Sequence, residues 1–496
     1  MTKFEEFLLF QKKINAFRLA FSTIGYDALT VAPKDGTEYR GEALSILSGE
    51  YYNLVNSPEY IELVKELKED KNLSYEQKRM IDLAYRDLVQ IIKVPKELYT
   101  YWTKLTNDSY QAWHDAKEKS NYAEFEPFLQ KVLDNSKKIA EYCAESNADL
   151  YDYMLDVYEP GMSKKDYDEF FDMYKKEIIP LVKELNNNPK PNDAFLNLDY
   201  DLNKQREFTQ EIMNYLGADK NRFYCGETEH PFSNQISMGD VRIATKYTLN
   251  NMIDNVFSVI HELGHGFFQA YIDPKYAFTP IENNISMGLH ESQSRFLENY
   301  LARRKSFWVP LYPKLQKLFP EQLKDISLDE FVKAVNIAKP SLVRTEADEL
   351  TYAIHVIIRY EIEKDLFSGK IKDVKTLNKV WNEKYAEYLG LTPGSDKEGV
   401  LQDVHWSDGS FGYFPTYALG SAFAAQFYQQ LQSELDVDKL LEEGKFLTIK
   451  EWLIKNIYQN GILYPSKELV KKVTKEEFNP KYYIEHLKNK YAPNKK

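Results

Sequence analysis

The chain has 496 residues, 43% hydrophobic and 14% aromatic, which is enough for a large core and too apolar for a disordered polymer. A formal net charge of -12, with its carboxylates spread along the sequence, argues against a general nucleic-acid surface or an anionic membrane as partner. Cys143 and Cys225 lie far apart and outside any CxxC spacing, so they give neither a disulfide framework nor a thiolate metal site, and a reducing cytosol fits.

Residues 1–13 mix Lys3, Glu5 and Glu6 among apolar side chains, and no later run has the length of a membrane span. The expectation is a cytoplasmic protein without an export signal. Helical apolar spacing and good helix formers then predict helices over residues 58–68, 75–93, 122–146 and 164–185. Residues 186–192, Asn-Asn-Asn-Pro-Lys-Pro-Asn, form a turn-rich cluster that could join two lobes of one domain spanning 1–496. Over residues 234–249 the β-branched Ile236, Val241, Ile243 and Thr245 flank a Gly239-Asp240 turn, which predicts a short hairpin. Its edge could bind an extended peptide by backbone pairing, or simply brace the helix that follows.

That helix, over 250–272, has Ile253, Val256, Phe257, Ile260, Leu263, Phe267 and Phe268 on one buried face, with Asn250 or Asn251 to cap it and Pro274 beyond its end. Inside it lies His261-Glu262-Leu263-Gly264-His265, an HExxH motif. Histidines four apart are rotated by about 40°, so both rings reach one cation, while Glu262, about 100° from His261, can touch a water on that ion. The spacing thus supplies two ligands and a base, and zinc-assisted hydrolysis is the leading reading.

A catalytic zinc takes three protein ligands and leaves a fourth position open. Glu291, in His290-Glu291-Ser292-Gln293-Ser294, opens another helical run and follows His265 closely enough for an antiparallel helix to bring it back. His290 competes for the role, but adjacent helical positions point about 100° apart and the two cannot share one ion. Further helices are predicted over 328–338 and 340–366. His405 reads as a cleft residue that donates to substrate, while His114, His355 and His486 read as structural.

Beyond HExxH the chain carries His230-Pro231-Phe232, Asp240-Val241-Arg242, His290-Glu291-Ser292-Gln293, Arg344-Thr345-Glu346-Ala347-Asp348, Gly399 through Trp406, and Gly412 through Tyr417. In this order they resemble the carboxypeptidase Taq (M32) family of metallocarboxypeptidases, and weaker similarity through Tyr26-Asp27 and Tyr158-Glu159-Pro160-Gly161 covers nearly the whole chain. Two departures stand out: threonine is displaced to Thr245 in the DxRxT pattern, and Tyr26 replaces an expected tryptophan.

The resemblance implies a mainly helical, all-α fold with a small antiparallel sheet beside a deep cleft, like neurolysin and angiotensin-converting enzyme, and commonly a homodimer. It implies that His261, His265 and Glu291 hold one Zn2+ per chain, replaceable by Co2+ or Mn2+ at a site of this donor type. Glu262 then activates the metal-bound water, and Tyr417 or His405 stabilises the oxyanion. An exopeptidase needs a cation for the substrate's free carboxylate: Arg344 is the first candidate and Arg242 the second, with His230 and Gln402 as further substrate contacts. The bland alternative for Arg344 is an i,i+4 pair with Asp348. The expected activity is release of single C-terminal residues from peptides, with broad specificity. A zinc endopeptidase or oligopeptidase is the closer alternative, and a non-catalytic helical peptide-binding scaffold the more distant one.

Overall fold

The computed structural model describes residues 1–146, 148–283 and 286–492. Ten helices bracket a small sheet in the first half of the chain: α1 (Lys3–Thr30), α2 (Thr37–Val55), α3 (Pro58–Glu69), α4 (Tyr75–Lys93), α5 (Lys96–Lys119), α6 (Tyr122–Cys143), α7 (Leu150–Tyr158), α8 (Lys164–Asn186), α9 (Leu202–Tyr215) and α10 (Met252–Ala270). The second half contributes, among others, α11 (Met287–Arg295), α12 (Tyr352–Phe367), α13 (Leu377–Leu389), α14 (Pro415–Glu434) and α15 (Lys481–Tyr491).

The expected helices at α3, α4, α6, α8 and α10 are present, and local chemistry explains their ends. Ser57, Ser74 and Ser163 cap α3, α4 and α8 by accepting from the backbone N–H three residues on. Asn251 does the same for α10 through Asp254. The predicted helix over 340–366 is shorter than expected. It begins only at Tyr352, after an irregular stretch with a 3-10 turn at Arg344–Glu346. Pro340 biases the residue before it away from helix, and the Asp348 carboxylate accepts from the backbones of Lys339, Leu350 and Thr351, an alternative to the helical ladder. The helix expected over 328–338 likewise stops at Ala334.

The hairpin is present as β2 (Phe232–Ser237) and β3 (Asp240–Thr245), antiparallel, with an irregularity between Gln235 and Ser237. A third strand, β1 (Phe223–Glu227), pairs in parallel with β3, so the sheet is mixed with order β1-β3-β2. Val241 and Ile243 are fully buried on the face that meets α10, and Phe223 meets Phe267 edge to face at 5.2 Å. The main apolar cluster includes Ile178, Leu181 and Val182 before the 186–192 loop and Phe195, Tyr200 and Phe208 after it. A smaller cluster joins α1, α3 and α4 to Ile272, Ile281 and Ile462. Among the described residues no helix is long and apolar enough to cross a membrane.

Candidate metal centre and active site

α10 holds the two histidines as its periodicity requires. Val256, Ile260, Leu263 and Phe267 are buried to 1% exposure or less, which fixes the roll of the helix and leaves His261 and His265 on one side, ring centroids 5.0 Å apart. Glu291 Oε2, from α11, lies 3.6 Å from His261 Nε2 and 3.4 Å from His265 Nε2. Among the described residues these three side chains form a group whose donor atoms all lie within 4.8 Å of one another. Tetrahedral zinc with bonds of about 2.0–2.1 Å sets its donors roughly 3.3 Å apart, so this set of two imidazoles and one carboxylate fits such an ion with small adjustment.

Two glycines make that convergence possible. A Cβ on Gly264, inside the HExxH motif, would lie 2.5 Å from the Gln293 carbonyl oxygen, and one on Gly420 of α14 would lie 2.6 Å from Glu291 Cγ. α11 is therefore pressed between α10 and α14 at the level of Glu291. Its start is fixed from elsewhere: Glu159, fully buried at the end of α7, accepts from Ser286 Oγ and the Gly288 backbone N–H at 2.7 Å each. Burial pushes the Glu159 carboxyl up, and these donors at a helix N-terminus oppose that rise.

Behind the three donors stands a charged frame that the sequence reading did not identify. His261 Nδ1 faces Glu298 Oε2 at 2.9 Å, which turns Nε2 toward Glu291. Arg295 donates to Glu291 Oε1 at 2.7 Å and to Glu298 at 3.3 Å, and Arg303 donates to Glu298 at 3.1 Å. Burial raises the Glu298 carboxyl, but Arg295, His261 and Arg303 outweigh it and hold the group down at about 2. Burial likewise opposes ionisation of Glu291, and Arg295 with the two histidines overcomes it, leaving the carboxyl well below the usual range. The signal in the sequence was Glu291, Arg295 and Glu298 at helical spacing in a run whose other residues are buried. Glu298 sits where the helix widens to π geometry over Phe296–Ala302.

His290 does not join the donor group. Its ring stacks on His265 at 4.4 Å and 18°, and burial holds it well below its ordinary pKa, so it backs the His265 ring without joining the donors. Glu262, next to His261 on α10, is 9% exposed. His405 Nε2 lies 3.3 Å from the Tyr417 hydroxyl, and burial lowers the His405 pKa to about 4. The two candidate oxyanion donors are thus one pair.

Arg344 is buried and does not pair with Asp348. Its Nε and Nη2 donate to Asp403 Oδ1 at 3.0 and 2.9 Å, and its Nη1 to the Tyr352 hydroxyl at 3.0 Å. A guanidinium has five N–H groups, and its hydrogen bonds to the described residues use three, which leaves one on each terminal nitrogen. Asp403 also accepts from Arg359, and the Gln402 carboxamide oxygen accepts from the Arg344 backbone and from Arg359. The Gln402 amide nitrogen reaches Glu398, Leu342 and Tyr385, so the side chain braces Arg344. Arg242 is held by Asp240 at 2.9 and 2.8 Å, and His230 is exposed between β1 and β2. Displaced Thr245 is buried and accepts from Asn255 of α10, while Tyr26 donates to the Ile243 carbonyl, so both departures are accommodated in the packing of the sheet.

The chain is 40% identical over 491 residues to "Carboxypeptidase 1" of Bacillus subtilis (strain 168), covering 98% of each. The crystal structure of an M32 carboxypeptidase from Deinococcus radiodurans matches with a TM-score of 0.95 at 30% identity over 99% of both chains. A structure of PZ peptidase A matches at a TM-score of 0.59 and 14% identity, a likeness of fold alone. The family model described as carboxypeptidase Taq (M32) metallopeptidase matches residues 6–491, and the chain belongs to that family: it is a metal-dependent carboxypeptidase.

Proposed function

We propose that His261, His265 and Glu291 hold one Zn2+ per chain, with Co2+ or Mn2+ able to replace it, and that the enzyme removes single residues from the free C-terminus of peptides with broad specificity. When bound, such an ion polarises the scissile carbonyl and lowers the pKa of water from near 16 to about 7. Glu262 takes a proton from the attacking water and delivers it to the leaving amine. The His405–Tyr417 pair donates to the oxygen on which negative charge develops. Arg344 takes the C-terminal carboxylate in its two remaining N–H groups, with Gln402 positioning it, while Arg242 and His230 lie toward the sheet as further substrate contacts.

The observation that carries this reading is a short line of contacts from the carboxylate receptor to the ligand. Arg344 bonds the Tyr352 hydroxyl, Arg295 sits 4.5 Å over the Tyr352 ring, and Arg295 bonds Glu291. A buried cation with two N–H groups unbonded among the described residues, this near a proposed metal ligand, suits a substrate that ends just past the scissile bond. A cavity of about 540 Å3, lined by His290 and by residues of α1, β2 and the end of α10, has room for residues upstream of that bond. As an outer strand of the sheet, β2 has an edge for backbone pairing with them.

Under the same reading the whole chain is one peptidase domain. It works in the cytoplasm as a homodimer, with peptides and not nucleic acid or membrane as its partners. The test is mass spectrometry on a peptide with a free C-terminus and on its amidated twin, with Zn2+ or Co2+ and with chelator. A metal-dependent ladder from the free end alone is expected. Internal fragments from both peptides would make the enzyme an endopeptidase, and no cleavage of either would favour a scaffold.

A further inference from the structure

α12 is buried almost throughout, yet Tyr352, His355, Arg359 and Glu363 recur along it at steps of three and four, which places them in one stripe. Each has a polar partner. Tyr352 meets Arg344, His355 meets the Tyr385 hydroxyl at 3.0 Å, and Arg359 donates to Asp403 and Gln402 at 2.7 Å each. Glu363, with no exposed surface, accepts from Trp406 Nε1 at 2.7 Å on one oxygen, and from the Gly412 backbone and the Tyr151 hydroxyl at 2.8 Å each on the other. The stripe therefore grips the 402–412 segment in sequence order, Arg359 at its start and Glu363 further on.

That segment carries His405 and leads into the helix that bears Tyr417, and no helix or strand of its own fixes it. His405 directly precedes Trp406, Tyr413 directly follows Gly412, and Tyr417 lies in the first turn of α14. Gly412 has φ +89°, and a Cβ there would meet the Met154 carbonyl at 2.5 Å, so the segment is pressed onto α7 where Glu363 holds it. We propose that Glu363 is a positioning residue for the peptidase reaction. By holding Trp406 and Gly412 on its two oxygens, it sets the span between His405 and Tyr417 and keeps that pair aimed at the scissile carbonyl. The proposal rests on the donor role of His405 and Tyr417 given above. Three donors converge on the carboxylate, so a carboxamide of the same shape cannot accept from all of them with its one oxygen.

The test is Glu363→Gln, assayed on a free-C-terminus peptide alone and combined with Tyr417→Phe. The expected result is a fall in kcat of about 10- to 100-fold, with KM and metal stoichiometry unchanged and no further fall from Glu363→Gln once Tyr417 is Phe. Wild-type kcat in Glu363→Gln, or losses that multiply in the double variant, would overturn the proposal. Full kcat in both Tyr417→Phe and His405→Gln would remove the donor reading, and the proposal with it. Low kcat in those two beside wild-type kcat in Glu363→Gln would remove only the bracing role. Should Glu363→Gln not yield folded protein, Trp406→Phe deletes one donor and leaves the carboxylate. The same kcat loss at constant KM is then expected, and wild-type kcat there overturns the proposal.

Discussion

Gly264 lies so close to Ser294 that a Cβ added to the glycine would fall 2.5 Å from the serine Cα. The atom in the way is backbone, which cannot rotate aside, so any side chain at 264 drives α10 and α11 apart and carries Glu291 away from the histidines. Gly264→Ala is expected to weaken metal binding by about 10-fold or more and to lower thermal stability by about 1–3 kcal/mol, the usual range for overpacking. Metal retained on dialysis, together with a melting curve, reads both. Wild-type retention would mean that the crossing of the two helices does not set the ligand geometry.

Glu262→Gln keeps the shape of the side chain and removes its basicity. Metal stoichiometry should stay at the wild-type level while kcat falls by roughly 100- to 10,000-fold, the range for loss of a general base. Metal analysis and steady-state kinetics on one preparation separate a lost base from a lost ligand. Ordinary turnover would exclude Glu262 from proton transfer.

Arg344→Ala should raise KM sharply for peptides with a free C-terminus and change little for C-terminally amidated ones. Lysine should rescue poorly, because a point charge cannot fork onto a carboxylate while also holding Asp403 and Tyr352. The ratio of kcat/KM on the two peptides is the quantity to follow. An equal loss on both would reduce Arg344 to a structural part.

Glu298→Gln leaves the three donor side chains in place but exchanges the carboxylate 2.9 Å from His261 Nδ1 for a neutral, weaker-accepting carboxamide. Loss of such a partner typically costs 10- to 100-fold in metal affinity. Titration against a chelating indicator would measure this without any assay of turnover. Unchanged affinity would show that the α10 packing orients His261 unaided.

Asp403 gives the pH prediction. Burial raises its carboxyl, but Arg359 and Arg344 outweigh burial and hold it well below the usual range. A depressed folded pKa contributes stability that is complete above the unfolded value of about 3.9 and is lost as pH falls through the folded value. Asp403→Asn should therefore be less stable than wild type near neutrality, by about 3–5 kcal/mol for a broken buried pair. The gap should close as pH drops below about 4. Urea melts of both proteins across that range test the sign, and a gap that widened in acid would contradict it.

His261, His265 and Glu291 were legible in the sequence because their geometry follows from helical spacing plus one returning helix. The hairpin was legible for a similar reason, since β-branched alternation around Gly239-Asp240 is a local signal. β1 was not, because its partner β3 lies beyond the turn and only tertiary pairing makes it a strand. Arg344 was placed in a helix because its neighbours favour one, and the carboxylate of Asp348 offered the backbone another arrangement. Arg295, Glu298, Arg359 and Glu363 escaped notice because a charge in an apolar helical run gains meaning only once its partners on other elements are known. Glu159 was quoted with its motif, but its task, capping α11 from the end of α7, spans 129 positions to Gly288.

Glu159 precedes the two histidines in the chain, whereas Gly420, which packs on Glu291, follows all three donors. A chain still being made has both histidines of α10 soon after residue 265, yet the helix bearing the third ligand needs Glu159 at its start and Gly420 against its flank. Fragments ending before α14 contain the three donors but lack the Gly420 flank against which Glu291 packs. Under the proposed ligand set, full metal affinity is therefore expected only once α14 has packed on α11, a contact between elements distant in sequence.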